Sequence, residues 1–220
     1  GWAKNEIDPF IARKLAANKL APAKAAEVRT LIRRVTFDLT GLPPTPAEVD
    51  DFFKASITNP NSAFENLVDR LLASPRFGER QARFWLDLVR YADSDGYNAD
   101  HPRPEAWRYR DYVISSFNAD KPYDRFVREI VAASGDIDQS PPSAWFKQVS
   151  SQQAQMEDTA QLFLGTRLQC AQCHHHPYEK WSQDDYYRFM AFFSRVGKAP
   201  SGRPSEEIVF HRAGVAQVTN

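Results

Sequence analysis

Cysteine is nearly absent from this chain. Its 220 residues hold two, Cys170 and Cys173, both in one C-x-x-C. A pair that close leaves nothing for a structural disulfide framework, which excludes a disulfide-stapled secreted scaffold. No apolar run approaches the roughly 20 residues of a membrane helix. Net charge is missing too: 28 Lys and Arg balance 28 Asp and Glu, so no long-range field draws in nucleic acid or an anionic membrane. The opening GWAKNEIDPF has neither the charged leader nor the continuous apolar stretch of a secretory signal. It does not start with Met and reads as a piece of something longer. There is no Gly-rich phosphate loop, no G-x-S-x-G elbow and no H-E-x-x-H helix.

What is present is ordinary globular composition, 42% hydrophobic and 25% charged, in a chain long enough to bury a core unaided. Helical punctuation recurs. Ile7, Phe10, Ile11 and Leu15 share one helical spacing, and Val28, Leu31, Ile32 and Val35 another. Thr45 to Glu48 reads as a capping box with Pro46 at the first helical position, and Ser62 to Glu65 as a second box. Further helices are expected after Ser74, from Arg103, from Pro122, over about Gln152 to Gly165, and after Ser182. Turn-rich joints separate them, among them GDIDQSPPS and GKAPSGRPS. Near the end, EIVFHR and VAQVT separated by AG suggest a short hairpin. The expected class is mainly α, a multi-helix domain over 1–200 with a short β annex over 201–220.

Function concentrates in LQCAQCHHHPYEKW, residues 168 to 181, which holds both cysteines and three of the five histidines. C-x-x-C-H is the signature of covalent haem attachment. Two thiols at that spacing reach the two vinyl groups on one porphyrin edge, and the next residue offers an imidazole to iron. Cys170 and Cys173 are then the thioether sites and His174 the iron ligand. His176, two residues on, cannot pass to the far face of the ring. The sixth position is left to His211, then His101, or to nothing; Met190 is expected in the core and Met156 on a helix surface. Arg108, Arg110, Arg167 and Trp181 are candidate partners for the haem propionates and ring, with an Arg110–Asp111 ion pair as the plain alternative. A zinc site would crowd Cys170, Cys173, His174 and His176 into seven residues, or recruit His211, and zinc sites usually join two separated ligand pairs. Asp93, Asp95 and Asp100 fail the EF-hand spacing, since Tyr91 and Pro102 fall at the first and last loop positions; Asx turns are the expectation there.

The strings LIRRVTFDLTGLPPTPAEVDDF, LVDRLLASPRFGERQARFWLDLVRYADSDGY, WRYRDYVISSFNADKPYDRFVREIVA and FLGTRLQCAQCHHHPYEKWSQDDYYRFMAFF together resemble the second planctomycete-specific cytochrome domain, a domain of unknown function. The resemblance covers nearly the whole chain. It implies a C-x-x-C-H-x-H-P motif at Cys170, Cys173, His174, His176 and Pro177, with a family role for His176. It further implies a large exported multidomain protein, with a haem module before this domain and another domain after it. The expectation is therefore a haem c domain outside the cytoplasm, passing single electrons to or from neighbouring modules or a redox partner. The alternatives are a haem enzyme oxidising a small or carbohydrate-like substrate, and a zinc-stabilised interaction module.

Overall fold

Thr45 shows how local chemistry sets these helices. Its side chain accepts from the Glu48 N–H at 3.3 Å while Glu48 Oε2 accepts from the Thr45 N–H at 2.8 Å, the reciprocal box expected there. The computed structural model describes residues 3, 5–94, 96, 100–203 and 206–215. Among them are ten α-helices and one two-stranded antiparallel sheet. The chain divides into two units, 1–70 and 71–220.

The first unit holds α1 (Asp8–Ala17), α2 (Val28–Thr40), α3 (Pro46–Thr58) and most of α4 (Pro60–Leu72). Ile32, Phe52, Ala63 and Leu67 are its buried apolar residues. Gly41 closes α2 at φ 75°, a left-handed cap that costs glycine little. The second capping box does not form. Helix α4 starts at Pro60, and Asn59 Oδ1 accepts from the Ser62 N–H at 3.2 Å. Asn59 followed by proline is the stronger start signal, and it moves Ser62 inside the helix.

The second unit holds α5 (Pro75–Leu88), α6 (Trp107–Asn118), α7 (Tyr123–Val131), α8 (Ala144–Gln148), α9 (Gln152–Leu164), α10 (Gln183–Ala191), β1 (Val196–Pro200) and β2 (Glu207–His211). Helices α5 and α6 touch closely at Gly78. Asn118 Oδ1 accepts its N–H at 2.8 Å, and Asn118 Nδ2 donates to the Pro75 carbonyl at 3.0 Å. The end of α6 thereby satisfies an amide that the first turn of α5 leaves unpaired. The core gathers Trp85, Tyr109, Phe126, Phe146, Met156, Leu168, Ala171, Tyr186 and Val209, and the Trp85 indole N–H donates to the Tyr109 hydroxyl at 3.0 Å.

Two expectations are corrected here, and one helix was not expected. Met156 is fully buried, not on a helix surface; the polar run Gln152–Gln155 hides that α9 packs on the core. Met190 packs against the core as expected. The joint GDIDQSPPS leads into a short 3-10 turn, Pro141–Ser143, and then α8, whose Trp145 and Phe146 are buried. The strand Glu207–His211 exists, but its partner is Val196–Pro200, with Val196 opposite His211. Residues 216–219 of the expected second strand lie outside the described residues.

Candidate functional site

The C-x-x-C-H turn fills the space between α9 and α10. Gly165 ends α9 at φ 67°, and the chain then tightens into a 3-10 turn, Gln169–Gln172. Cys170 lies in this turn and Cys173 caps its end, at the i, i+3 spacing that 3-10 geometry brings to one face. Both are exposed. Leu168 and Ala171, on the other side, are fully buried and anchor the turn in the core.

The three consecutive histidines have different jobs. His174 is exposed, and its Nδ1 lies 2.6 Å from the His175 carbonyl oxygen. A carbonyl only accepts, so Nδ1 carries a proton and Nε2 is the ring nitrogen this contact leaves unused. His176 uses both ring nitrogens. Its Nδ1 accepts from the Tyr178 and Glu179 N–H groups at 3.3 and 3.1 Å, and Nε2 donates to the Arg167 carbonyl at 3.1 Å. Its own N–H donates to the Trp181 carbonyl at 2.8 Å. His176 is thus the pin that folds 176–179 back onto both ends of the turn. His175 Nδ1 accepts from the Gln183 N–H at 3.3 Å, at the start of α10.

A polar floor lies beneath. The Gln183 side-chain amide donates to the Gln172 carbonyl at 2.8 Å, and the Tyr187 hydroxyl donates to it at 3.4 Å. Gln153 on α9 bonds Gln172 Oε1 and Glu157 Oε1, and the Tyr186 hydroxyl donates to Glu157 Oε1 at 2.6 Å. Burial, and next the Glu157 carboxylate, push the Tyr186 phenol up, which keeps it a donor. Ser182 and Asp185 form a capping box at the start of α10, the helix expected after Ser182.

Of the other candidate residues, Arg167 and Trp181 contribute through backbone carbonyls to His176, and the Trp181 ring packs on the core. Arg108 bonds Glu105 and Asp138 and lies 4.6 Å from the Trp107 ring centre. Arg110 pairs with Asp111 at 3.0 Å, the plain alternative for that position. His211 is exposed on β2 and His101 is exposed in the loop before α6. Among the described residues no group of three or more His, Cys, Asp or Glu side chains is gathered as a metal site. Asp93 accepts from the Tyr91 hydroxyl at 2.6 Å; Asp95 lies outside the described residues. Sequence reasoning missed Gln153, Gln172, Gln183 and Tyr187, because spacing carries no signal for glutamines that meet only when α9 and α10 pack.

The model of one family, PSCyt2, described as "Protein of unknown function (DUF1549)", matches residues 6–198. The chain belongs to this family. No curated protein and no solved structure matches it. The PSCyt2 match contains the whole cysteine–histidine turn with its α9 and α10 supports, whereas His211 lies beyond its end.

Proposed function

We propose that the 168–182 turn attaches haem c, and that this PSCyt2 domain passes single electrons to or from neighbouring modules of a larger exported protein or a partner. The observation that carries the reading is two exposed thiols three residues apart, one within a 3-10 turn and one at its end, beside an exposed imidazole whose Nδ1–H is tied to a carbonyl. Cys170 and Cys173 would hold the haem as thioethers, each S–H adding across one vinyl double bond with nothing lost. His174 would offer Nε2, with the Nδ1–H bond to the His175 carbonyl fixing the ring's orientation. When bound, the haem iron supplies a one-electron redox change. His176 has both nitrogens committed to the backbone and holds the turn's shape.

The donor set favours haem over zinc. Haem c needs one protein imidazole besides the two sulfurs, which is what the turn presents. A structural zinc needs four ligands, and no such group is gathered among the described residues. The resemblance to the planctomycete-specific cytochrome domain supports the same choice, and with it an extracytoplasmic location, where haem c is attached.

The test is the optical spectrum of protein made in a periplasm that has haem-ligation machinery. A Soret band with sharp α and β bands on reduction, lost in Cys170→Ala/Cys173→Ala, is the expected result. A colourless protein with one tightly bound zinc would overturn it.

A further inference from the structure

Away from the cysteine turn, α5, α6 and α7 enclose a pocket of about 320 Å³ lined by Phe77, Trp85, Phe117, Tyr123 and Phe126, with Ser116, Asp120 and Lys121. That volume is in the range of small-ligand sites. The aromatic walls meet at steep angles: Trp85 and Phe126 are 77° apart with ring centres at 5.0 Å, and Phe117 is inclined 46° to Phe126. Rings set this way present faces and edges on several sides of one small volume, as an aromatic box does.

The polar groups decide what the box takes. Ser116 Oγ already donates to the Tyr112 carbonyl at 2.8 Å. The Lys121 ammonium is committed to Glu129 and sits 4.4 Å from the Tyr112 ring centre. Burial alone would raise Glu129, but hydrogen bonds from Lys121, Arg125 and Tyr112 hold its carboxyl at about 2, so Glu129 is ionised and offsets Lys121. Asp120, by contrast, shows no side-chain hydrogen bond or ion pair among the described residues. The one uncommitted charge at this aromatic pocket is therefore negative.

We propose that this pocket binds a small organic cation of the quaternary or methylated ammonium class, with Asp120 as counter-charge and the five rings as the box. Ring faces attract a cation through their quadrupoles, and methylated ammonium groups lose little hydration on entering a carbon-lined site. An anionic ligand would meet Asp120 with like charge. The inference does not depend on haem and stands or falls separately.

The test uses the full chain, titrated with choline and with 3,3-dimethylbutan-1-ol, the uncharged carbon analogue of the same shape, followed by calorimetry and by NMR of the tryptophan indole signals. Choline is expected to bind saturably and to shift the Trp85 indole, and the neutral analogue to bind about 10-fold more weakly, the difference a cation–π and counter-charge contribution would make. Asp120→Asn suits the test, because Asp120 is exposed at φ 46° and Asn tolerates that left-handed backbone. It is expected to weaken choline about 10-fold and leave the neutral analogue unchanged, consistent with loss of one charge contact. Tyr123→Ala, at a residue 61% exposed, removes a box wall without touching the core and is expected to weaken choline as well. Equal affinity for choline and its neutral analogue would overturn the proposal. So would an unchanged choline affinity in Asp120→Asn, or the absence of saturable choline binding.

Discussion

The Nδ1 atom of His174 stands 2.6 Å from the carbonyl oxygen of its neighbour His175. That contact commits one side of the imidazole to the backbone and leaves Nε2 as its unused nitrogen. The contrast with His176, whose two nitrogens are both spent on the backbone, separates the histidine proposed as a ligand from a scaffolding one within three residues.

His176→Ala should therefore loosen the turn without removing a ligand. The Tyr178 and Glu179 amides lose their acceptor, and the Arg167 carbonyl its donor. Hydrogen exchange at those two amides is expected to speed up, with a stability loss of about 1 kcal/mol, the scale of net hydrogen bonds at a partly exposed site. In haem-loaded protein the iron spectrum should stay that of the wild type. His174→Ala should do the opposite, changing the spectrum while the exchange rates at 178 and 179 stay put.

Lys147 and Glu206 form an ion pair whose side chains are both largely buried. Burial pushes the Lys147 ammonium down, opposed by Asp136, Glu207 and Glu105. Lys147→Met leaves a buried carboxylate without its partner and is expected to cost about 3–5 kcal/mol. Lys147→Met with Glu206→Leu should cost clearly less than the two single changes added together. Denaturant unfolding of the four proteins in a double-mutant cycle reads the difference.

Glu129 predicts an acid limb in stability. Its carboxyl is held at about 2 against an ordinary 4.5, because the bonds from Lys121, Arg125 and Tyr112 outweigh the burial that would raise it. A depressed folded value gives stability that is complete above the unfolded value and lost as pH falls toward the folded one. The loss attributable to this group should fall between about pH 4.5 and 2. Glu129→Gln should be less stable at neutral pH and show a shallower fall across that window, measured by thermal unfolding against pH.

Gly78 is fixed by contact. A Cβ there would lie 2.5 Å from the Ile114 carbonyl and from the Asn118 side chain. Gly78→Ala should cost about 1–3 kcal/mol through overpacking, despite alanine's better helix propensity. The same change at Gly202, where nothing lies within 4 Å but φ is 85°, should cost through backbone strain alone, about 1 kcal/mol. Chemical denaturation distinguishes the two.

Local signals were legible in this sequence and tertiary ones were not. Thr45, Pro46 and Glu48 announce α3 because capping is decided within four residues, and Ser182 with Asp185 announces α10 for the same reason. Ser62 misled because Asn59 and Pro60, just upstream, offer a better start. The strand Glu207–His211 was readable from its β-branched residues. Its partner Val196–Pro200 was not, because the pairing spans a Gly- and Pro-rich loop and is set by packing against the core. Cys170, Cys173 and His174 stand out by spacing alone. Yet the assignment of His176 to the scaffold, and the glutamine floor from Gln153 and Gln183, depend on how α9 and α10 meet. The aromatic box is hidden in the same way: Trp85, Phe117 and Phe126 each read as the core stripe of a separate helix.

The account rests most heavily on the two sulfurs, and the intact mass of protein matured with haem-ligation machinery tests it most directly. One haem mass added per chain is predicted, retained under denaturing conditions and lost when Cys170 and Cys173 are both replaced by alanine. A chain recovered from that host at its bare polypeptide mass, with both thiols still free to alkylate, would contradict it.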